Sequence, residues 1–322
     1  MKNIVLVGVG SIGKRHLQAL LMLEEKTNIY LYDKNIEEIE KNIIEIKESN
    51  QEKHEIFIIK NIEELPEKIE LLIIATSSNV RRMLFEKIIN IKKIENVIFE
   101  KVLFQKIEDY YEVEKILNDK KINAWVNCAR REWKSYQKIK SILEKATKME
   151  ITISGSKWGL GCNGIHMLDL IEYISGNGNI IVDISELEEN YIESKRDNFL
   201  EIEGTIKGRM GKCDNYSITS YSNNKVPVSI VINSDIFKCI INEEDKTILY
   251  ANEESEWEWK EEKFETVYQS QLTNIVVENI LKNKRCNLIE YKKSMELHLK
   301  YIEPLIEYFE KLGIGGKQCP IT

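Results

Sequence analysis

The sequence predicts an α/β fold, with a doubly wound parallel sheet in its N-terminal part and a C-terminal α/β domain built on an open, mainly antiparallel sheet. Up to about Val126, short apolar runs alternate with stretches whose apolar residues recur every three or four positions. After about Ala146, short runs follow one another with turn residues between them. A chain of 322 residues exceeds what one hydrophobic core usually serves, so we expect two domains, residues 1–125 and 126–322.

The N-terminal domain contains six candidate strands that are nearly continuous in apolar residues, as expected for a parallel sheet covered by helices on both faces. They are Ile4–Val7, Ile29–Tyr32, Ile56–Ile59, Leu71–Ala75, Val97–Phe99 and Ala124–Val126. Helices are predicted between them, for example over Asn35–Ser49 and Ile107–Asn118.

The C-terminal domain contains repeated short strands, which predict a largely antiparallel sheet. The candidates are Ile151–Ser154, Ile180–Ile184, Leu200–Ile206, Tyr216–Tyr221, Pro227–Ile232 and Phe237–Ile241. Four helices are predicted, over Glu132–Ala146, His166–Ile174, Thr266–Leu281 and Tyr291–Leu312. The charged segment Glu253–Lys263, in which Trp257 and Trp259 alternate with polar residues, predicts a further strand with one buried aromatic face.

Composition excludes several classes of protein. A hydrophobic share of 43% and a charged share of 31% indicate a folded rather than a disordered chain. The net charge of −7 is spread along the chain without a basic stripe, which argues against nucleic acid as a partner. No apolar run approaches the roughly 20 residues that span a bilayer, and the start reads as a buried strand rather than an export signal. We therefore expect a cytoplasmic protein without a membrane partner.

The six cysteines are far apart and show no spacing typical of a metal site, so we interpret them as thiols. We expect no bound metal.

The most informative local motif is Gly8–Gly13 (GVGSIG), which follows the first strand directly and leads into a helical pattern. A G-x-G-x-x-G sequence in this context is typical of the dinucleotide-binding turn of a Rossmann domain. Gly8 would allow the tight turn, Gly10 would let the backbone approach a pyrophosphate, and Gly13 would permit close packing of the helix on the strand. The alternative is that these glycines only form a tight turn.

Two neighbouring features support dinucleotide binding. The helix amides from Ser11 and Ile12 onward would face the phosphates at the positive end of the helix dipole. Asp33 ends the second strand, twenty positions after Gly13, where an acid would accept hydrogen bonds from the adenosine ribose. Its charge favours NAD over NADP, although Lys34 beside it could offset part of the repulsion from a 2′-phosphate, so NADP stays possible.

Further segments follow in a characteristic order along nearly the whole chain. They are Gly13–His16, Ala75–Asn79, Glu100–Val102, Arg130–Arg131, Cys162–Asp169 and Tyr268–Thr273. Together with the first strand and its glycine turn, they make the chain resemble the glucose-fructose oxidoreductase, inositol dehydrogenase and rhizopine catabolism (Gfo/Idh/MocA) family.

The resemblance implies roles for residues at the ends of two N-terminal strands. Thr76, Ser77 and Asn79 would border the nicotinamide side of the cofactor. Glu100-Lys101-Val102 is similar to the family's Glu-Lys-Pro motif, with Val102 in place of proline. By this resemblance Lys101 would hydrogen-bond the reacting oxygen and help to handle its proton, while Glu100 would orient Lys101 or contact the cofactor. The alternative for the Glu-Lys pair is an ordinary surface ion pair.

His166 is the second candidate for proton transfer, because a histidine can exchange a proton near neutral pH. The family usually carries Asp four residues before this histidine, where this chain has Cys162. Asp169, three residues after His166, could orient it or pair with a basic residue. The alternative for His166 is a buried histidine with satisfied hydrogen bonds.

The resemblance also implies substrate-binding residues. Trp158 and Asn163 would face the substrate, as would Asp169. Arg130 would suit a carboxylate or phosphate on the substrate, but a structural salt bridge fits that residue equally well.

These expectations together describe an NAD(P)-dependent oxidoreductase that moves a hydride between nicotinamide and a secondary alcohol or ketone. The substrates that the resemblance implies are sugars, sugar acids, cyclitols or nucleotide-linked sugars, and the segment around Trp158–Asn163 suggests surface-sugar biosynthesis. We expect a homo-dimer or homo-tetramer. Two alternatives stay open: a non-catalytic regulator that senses dinucleotide or sugar, and a lyase or hydrolase that oxidises and re-reduces its substrate within one cycle.

Overall fold

The computed structural model describes residues 1–47, 53–176 and 178–322, and the chain divides into two compact units. The first unit consists of Met1–Phe104, Glu108–Ala129 and Val267–Ser294. The second consists of Gln105–Ile107, Arg130–Thr266 and Met295–Thr322. Residues 267–294, which the sequence analysis assigned to the C-terminal domain, thus group with the N-terminal unit. No helix in the described ranges is long and apolar enough to cross a membrane.

The helices and strands are numbered along the chain. The strands are β1 Lys2–Val7, β2 Thr27–Tyr32, β3 Glu55–Ile59, β4 Lys68–Ile69, β5 Leu71–Ile74, β6 Lys93–Ile94, β7 Asn96–Phe99, β8 Asn123–Val126, β9 Met149–Ser156, β10 Ile180–Leu187, β11 Ile192–Glu193, β12 Leu200–Glu201, β13 Gly204–Met210, β14 Cys213–Tyr221, β15 Ser229–Ser234, β16 Phe237–Asn242, β17 Thr247–Asn252, β18 Lys260–Lys263 and β19 Ile289–Glu290. The helices are α1 Ser11–Leu20, α2 Ile36–Lys47, α3 Ser78–Ile91, α4 Ile107–Lys120, α5 Lys134–Leu143, α6 Leu160–Ser175, α7 Thr273–Asn283 and α8 Tyr291–Lys311.

The first unit is built on a seven-stranded sheet in the order β19–β8–β7–β5–β1–β2–β3. Six of these strands pair in parallel, which gives the Rossmann order and confirms the predicted doubly wound sheet. The seventh, β19, pairs antiparallel with β8. Two residues are too short to show a periodic pattern, so this strand was not predicted. Residues 48–49 of the predicted helix that begins at Asn35 lie outside the described residues.

The second unit is built on an eight-stranded sheet in the order β10–β13–β14–β9–β15–β16–β17–β18. Every neighbouring pair is antiparallel except β14 and β9, which confirms the predicted mainly antiparallel sheet. Along β9 buried residues alternate with more exposed ones, so one face of the sheet is covered. Helix α6 packs against β9, β13 and β14.

The prediction of a strand with a buried aromatic face over Glu253–Lys263 is wrong. Only Lys260–Lys263 form a strand, and all four residues are exposed at the edge of the sheet. Trp257 and Trp259 are 45% and 53% exposed. Glu256 and Trp257 both have positive φ, so the chain turns there and the alternation of the sequence does not correspond to two faces of one strand.

Candidate active site

The first unit gathers its predicted site residues at one edge of the parallel sheet. Gly8 follows β1, Thr76 follows β5, and Glu100 follows β7, so all three leave the carboxyl ends of neighbouring strands. The chain order reverses between β1 and β5, and ligands of open parallel sheets bind at such a point. A Cβ atom added to Gly8 would stand 2.8 Å from the backbone nitrogen of Thr76, so the two loops are in direct contact.

The glycine turn meets the requirements of a pyrophosphate site. Gly8 has φ +87°, a conformation that favours glycine, and a Cβ on Gly13 would stand 2.0 Å from the carbonyl oxygen of Gly8. A Cβ on Gly10 would meet nothing within 4 Å, which leaves open space above the turn. Helix α1 begins at Ser11, and no side chain caps its N-terminus. Its first amides, including those of the exposed Ser11 and half-buried Ile12, are therefore available to an anion.

Asp33 is held toward this turn. Its Oδ2 accepts a hydrogen bond from the backbone N–H of Val9 at 2.7 Å, and its Oδ1 accepts one from the N–H of Asn35 at 2.9 Å. The side chain is half-buried. A carboxylate is thus fixed at the end of β2, beside the turn, where the sequence predicts ribose binding.

The loop after β5 carries the predicted nicotinamide-side residues. Ser77 Oγ donates a hydrogen bond to Asn79 Oδ1 at 2.8 Å, and α3 begins at Ser78. The buried guanidinium of Arg81 donates to the backbone carbonyl of Thr76. This arginine therefore fixes the start of the loop from inside the unit.

The same arginine also holds the segment that follows Lys101. Arg81 donates to the carbonyl oxygen of Leu103 at 2.7 Å and to that of Val102. The Lys101–Val102 peptide bond is cis. Lys101 itself is half-buried, whereas Val102 and Leu103 are fully buried. The lysine thus projects from a backbone segment that is held on its C-terminal side.

Glu100 is buried rather than exposed, so the Glu-Lys pair is not an ordinary surface ion pair. Its Oε1 accepts hydrogen bonds from His16 Nε2 at 2.9 Å and from the side-chain amide of Asn127. Burial alone would raise the pKa of Glu100, but the hydrogen bond from His16, the positive charge of Lys101 and the amide of Asn127 hold it below its usual range. Glu100 is therefore an ionised carboxylate at neutral pH.

In the second unit, helix α6 carries the other predicted site residues and begins with close packing around its glycines. Glu201 accepts from the backbone N–H of Cys162 with both carboxylate oxygens, at 3.3 and 3.2 Å. The hydroxyl of Tyr301 donates to the carbonyl oxygens of Leu160 and Gly161, at 2.6 and 2.9 Å. A Cβ on Gly164 would stand 2.6 Å from that hydroxyl oxygen. The first turn of α6 is thus fixed by a carboxylate and a phenol.

Three functional groups converge where this helix begins. The Sγ of Cys162, the Nδ2 of Asn163 and the Oε1 of Glu201 each lie within 3.3 Å of the point where a Cβ on Gly159 would stand. The same Asn163 amide donates to the carbonyl of Trp158 at 2.8 Å. Cys162 occupies the position where the family usually has an aspartate. The carboxylate of Glu201 nevertheless lies close to this position.

Trp158 and His166 lie on either side of this cluster in sequence. The indole N–H of Trp158 donates to the carbonyl oxygen of Thr219 at 2.9 Å, and both Trp158 and His166 are half-buried. His166 follows Cys162 by one turn of α6, so the two side chains lie on one face of the helix.

Two predicted substrate residues are engaged in ion pairs. Arg130 donates to both carboxylate oxygens of Glu243 at 2.7 Å, and Tyr136 donates to the same carboxylate at 2.5 Å. Asp169 is buried and accepts from Arg131 Nε with both oxygens, at 3.0 and 2.9 Å. Burial and the opposing charge of Arg130 act against each other on the pKa of Glu243, and the charge prevails, so that the pKa is lowered.

Five residues that were not predicted as site residues help to build it: His16, Arg81, Asn127, Glu201 and Tyr301. His16 stands three positions after the last glycine of the turn, a spacing that places it on the covered side of α1 and could have indicated a buried role. Asn127 follows β8 as Glu100 follows β7, so its position at the carboxyl edge of the sheet could have indicated a role in the site. Glu201 and Tyr301 are distant in sequence from α6, and no local pattern indicates their contacts.

Comparisons with known proteins agree with this architecture. Residues 2–128 match the family model GFO_IDH_MocA, described as an oxidoreductase family with an NAD-binding Rossmann fold. No curated protein matches the sequence significantly.

Solved structures share the fold across nearly the whole chain. UDP-N-acetylglucosamine 3-dehydrogenase GnnA from Acidithiobacillus ferrooxidans is 11% identical, with 94% of this chain and 96% of that chain covered and a TM-score of 0.72. A dehydrogenase (MviM) from Clostridium difficile is 16% identical, with coverages of 94% and 99% and a TM-score of 0.68. The transcriptional regulator Gal80p from Kluyveromyces lactis is 14% identical, with coverages of 96% and 92% and a TM-score of 0.73.

At these identities the solved structures establish the fold alone. The match of residues 2–128 establishes the relationship in sequence. Residues 2–128 thus belong by sequence to the Gfo/Idh/MocA oxidoreductase family, and the first unit carries the NAD-binding Rossmann fold that describes this family.

Proposed function

We propose that the chain is an NAD-dependent dehydrogenase or reductase that acts on a secondary alcohol or ketone of a sugar-like substrate. The observation that carries this proposal is the edge of the parallel sheet, where the open turn at Gly10 and the uncapped helix α1 lie at the same sheet edge as Lys101. The nicotinamide would supply or accept the hydride. The protein would supply binding, orientation and proton transfer.

Each part of the first unit has a proposed task. The Gly8–Gly13 turn and the first amides of α1 would bind the pyrophosphate. Asp33 would accept hydrogen bonds from the ribose, which supports NAD as the cofactor. Thr76, Ser77 and Asn79 would border the nicotinamide. Glu100 is fully engaged inside the unit, so we propose that it orients Lys101 and does not touch the cofactor.

Lys101 is proposed as the group that hydrogen-bonds the reacting oxygen and exchanges its proton. His166 on α6 is proposed as a second group for proton transfer, with Trp158 and Asn163 as substrate-binding residues of the second unit. Arg130 already has an ionic partner in the half-buried Glu243, and Asp169 has one in the buried Arg131. We therefore propose that Arg130 and Asp169 stabilise the second unit and do not bind substrate.

A nucleotide-linked sugar is the substrate class that we would test first. The support is the shared fold with the UDP-N-acetylglucosamine 3-dehydrogenase, together with the family match of residues 2–128. The fold similarity to Gal80p gives a second candidate, a regulator that binds dinucleotide or sugar without turnover. The presence of Lys101 on a segment with buried support favours the enzyme.

The test is nicotinamide absorbance with NAD and NADH against a panel of sugars, keto sugars, sugar acids, cyclitols and nucleotide sugars. Wild type and the Lys101→Ala and Lys101→Arg variants would be compared, with Lys106→Ala as the control because Lys106 is an exposed lysine five positions later in the sequence. We expect turnover in wild type and Lys106→Ala that falls by about 100-fold or more in Lys101→Ala. Tight dinucleotide binding without turnover on any substrate would favour the regulator.

We also propose that the open face of the second sheet joins copies of the chain into a dimer or tetramer. Ile181, Ile240 and Leu249 lie on that face and are 37–39% exposed. Light scattering tests this proposal: wild type should have at least twice the monomer mass, and Ile240→Lys should shift it toward the monomer.

A further inference from the structure

Five buried or half-buried polar side chains form a closed hydrogen-bonded ring that includes Glu100, the residue before Lys101. Its members come from five separate parts of the first unit: α1, the ends of β7 and β8, the turn before α7, and the first residue of α7. In order around the ring they are His16, Glu100, Asn127, Gln269 and Thr273.

Four of the five hydrogen bonds of the ring have ordinary lengths. His16 Nε2 lies 2.9 Å from Glu100 Oε1, and His16 Nδ1 lies 2.9 Å from Thr273 Oγ1. The Asn127 amide donates to Gln269 Oε1 at 2.9 Å, and the Gln269 amide donates to Thr273 Oγ1 at 2.8 Å. His16 is 1% exposed and Asn127 is 4% exposed, so water does not compete for these bonds.

The two oxygens of Glu100 face in different directions. Oε1 is the atom that the ring holds, through His16 and Asn127. Oε2 accepts the backbone N–H of Lys101 at 3.3 Å. Because an ionised carboxylate can only accept hydrogen bonds, Nε2 of His16 carries the hydrogen in its bond to Glu100. The histidine, together with Asn127, therefore sets the orientation of this carboxylate next to Lys101.

We propose that His16 is a positioning residue for Lys101, which it reaches through Glu100. His16 lies on α1, whose first turn is the proposed pyrophosphate site, so the ring also connects that helix to the segment carrying the lysine. The proposal rests on the proposed function of Lys101 in proton transfer. A purely structural ring would affect stability alone, whereas a positioning ring sets the chemical environment of the lysine amine and the rate of the chemical step.

The experiment measures the reactivity of Lys101 before any ligand is added. Ligand-free full-length protein is acetylated competitively with acetic anhydride over a range of pH, and the Lys101 peptide is quantified by mass spectrometry. The variants are His16→Leu, His16→Gln and Thr273→Val. The control is Leu17→Val, because Leu17 is fully buried on the same helix and lies outside the ring.

In His16→Leu the carboxylate of Glu100 loses its main hydrogen bond, and its charge acts more strongly on the amine of Lys101. The ammonium then holds its proton more tightly, so we expect acetylation at a fixed pH to slow by about threefold or more. We expect acetylation of Lys101 to slow less strongly in Thr273→Val. His16→Gln and Leu17→Val should be acetylated at nearly the wild-type rate. Thr273→Val keeps the test valid if His16→Leu does not fold.

The kinetic comparison completes the test. With the sugar substrate, kcat should fall by about tenfold or more in His16→Leu while KM stays within about twofold, and His16→Gln should recover most of kcat. Unchanged labelling in both His16→Leu and Thr273→Val, or equal losses in Leu17→Val, would overturn the proposal. A further outcome is that wild type turns over no substrate while His16→Leu still slows acetylation of Lys101. In that case the proposed function fails, but the effect of His16 on Lys101 is supported.

Discussion

Val9 donates its backbone N–H to the carboxylate of Asp33 across 2.7 Å, which ties the acid at the end of β2 to the glycine turn after β1. The bond fixes a negative charge beside the turn where a pyrophosphate would bind. A 2′-phosphate on the adenosine ribose would meet this charge, whereas ribose hydroxyls could donate to it. The relationship therefore bears directly on the choice between NAD and NADP.

Asp33→Asn should weaken the preference for NADH over NADPH. The amide oxygen can still accept from Val9, so the turn keeps its support while the charge is lost. We expect the ratio of the two dissociation constants to shift toward NADPH by about tenfold, which corresponds to about 1.4 kcal/mol. Fluorescence titration with both cofactors measures it. Lys34→Gln is the control and should shift the ratio the other way; an unaltered ratio in Asp33→Asn would refute the role of Asp33.

Arg130 should stabilise the second unit rather than bind substrate. Removing one partner of this half-buried ion pair leaves a poorly compensated charge, so Arg130→Met and Glu243→Gln should each lower the free energy of unfolding by about 1–2 kcal/mol. The double variant should lose less than the sum of the two. Urea denaturation measures the free energies, and KM for substrate should stay near wild type. A large rise in KM with little loss of stability would instead favour substrate binding by Arg130.

Gly164→Ala should disturb the first turn of α6, because the new methyl group would stand 2.6 Å from the hydroxyl oxygen of Tyr301. We expect a loss of about 1–3 kcal/mol in unfolding free energy from this overpacking. Tyr301→Phe removes the oxygen, so the double variant should be more stable than the two single losses predict. Thermal and urea unfolding of all four proteins gives the coupling, and strict additivity would contradict the contact.

The stability of the protein should depend on the ionisation of Glu100 at acid pH. Its folded-state pKa lies below the ordinary value of 4.5. The stabilisation is therefore present above about pH 4.5 and is lost as the pH falls through the folded-state pKa. Glu100→Gln should be less stable than wild type at neutral pH, and the difference should narrow as the pH falls. Urea denaturation from neutral to acid pH measures it; a constant difference would contradict an ionised Glu100.

The N-terminal fold could be predicted because its central strands β1, β5 and β7 are buried on both faces and its glycine turn has a fixed sequence. The six parallel strands show continuous apolar runs, and the turn at Gly8–Gly13 directly precedes a helix. Strand β19 could not be predicted, because two residues show no period and its pairing with β8 depends on tertiary structure. The alternation of Trp257 and Trp259 with polar residues led to a wrong prediction. Alternating residues lie on opposite faces only in a continuous strand, and the chain turns at Trp257.

The site residues were predictable where chemistry follows a strand end, as at Asp33 and Lys101. The residues that hold these site residues in place were less predictable. Glu201 reaches the N-terminus of α6 from 39 residues away in sequence, and Arg81 holds the lysine segment from α3. Such contacts depend on the tertiary arrangement, since neither residue belongs to a local motif. The sequence left open whether Arg130 binds substrate or forms a structural salt bridge, and its ion pair with Glu243 favours the salt bridge.

The central claim, that this chain is a dehydrogenase whose proton transfer depends on Lys101, is tested most directly by single-turnover reduction or oxidation of a nucleotide sugar. Wild type, Lys101→Ala and Lys106→Ala are mixed with stoichiometric cofactor and substrate, and nicotinamide absorbance is followed. We expect a net absorbance change matched by one equivalent of converted sugar in wild type and Lys106→Ala, and its loss in Lys101→Ala with dinucleotide binding retained. Equal conversion in Lys101→Ala, or sugar conversion without net change in the cofactor, would contradict it.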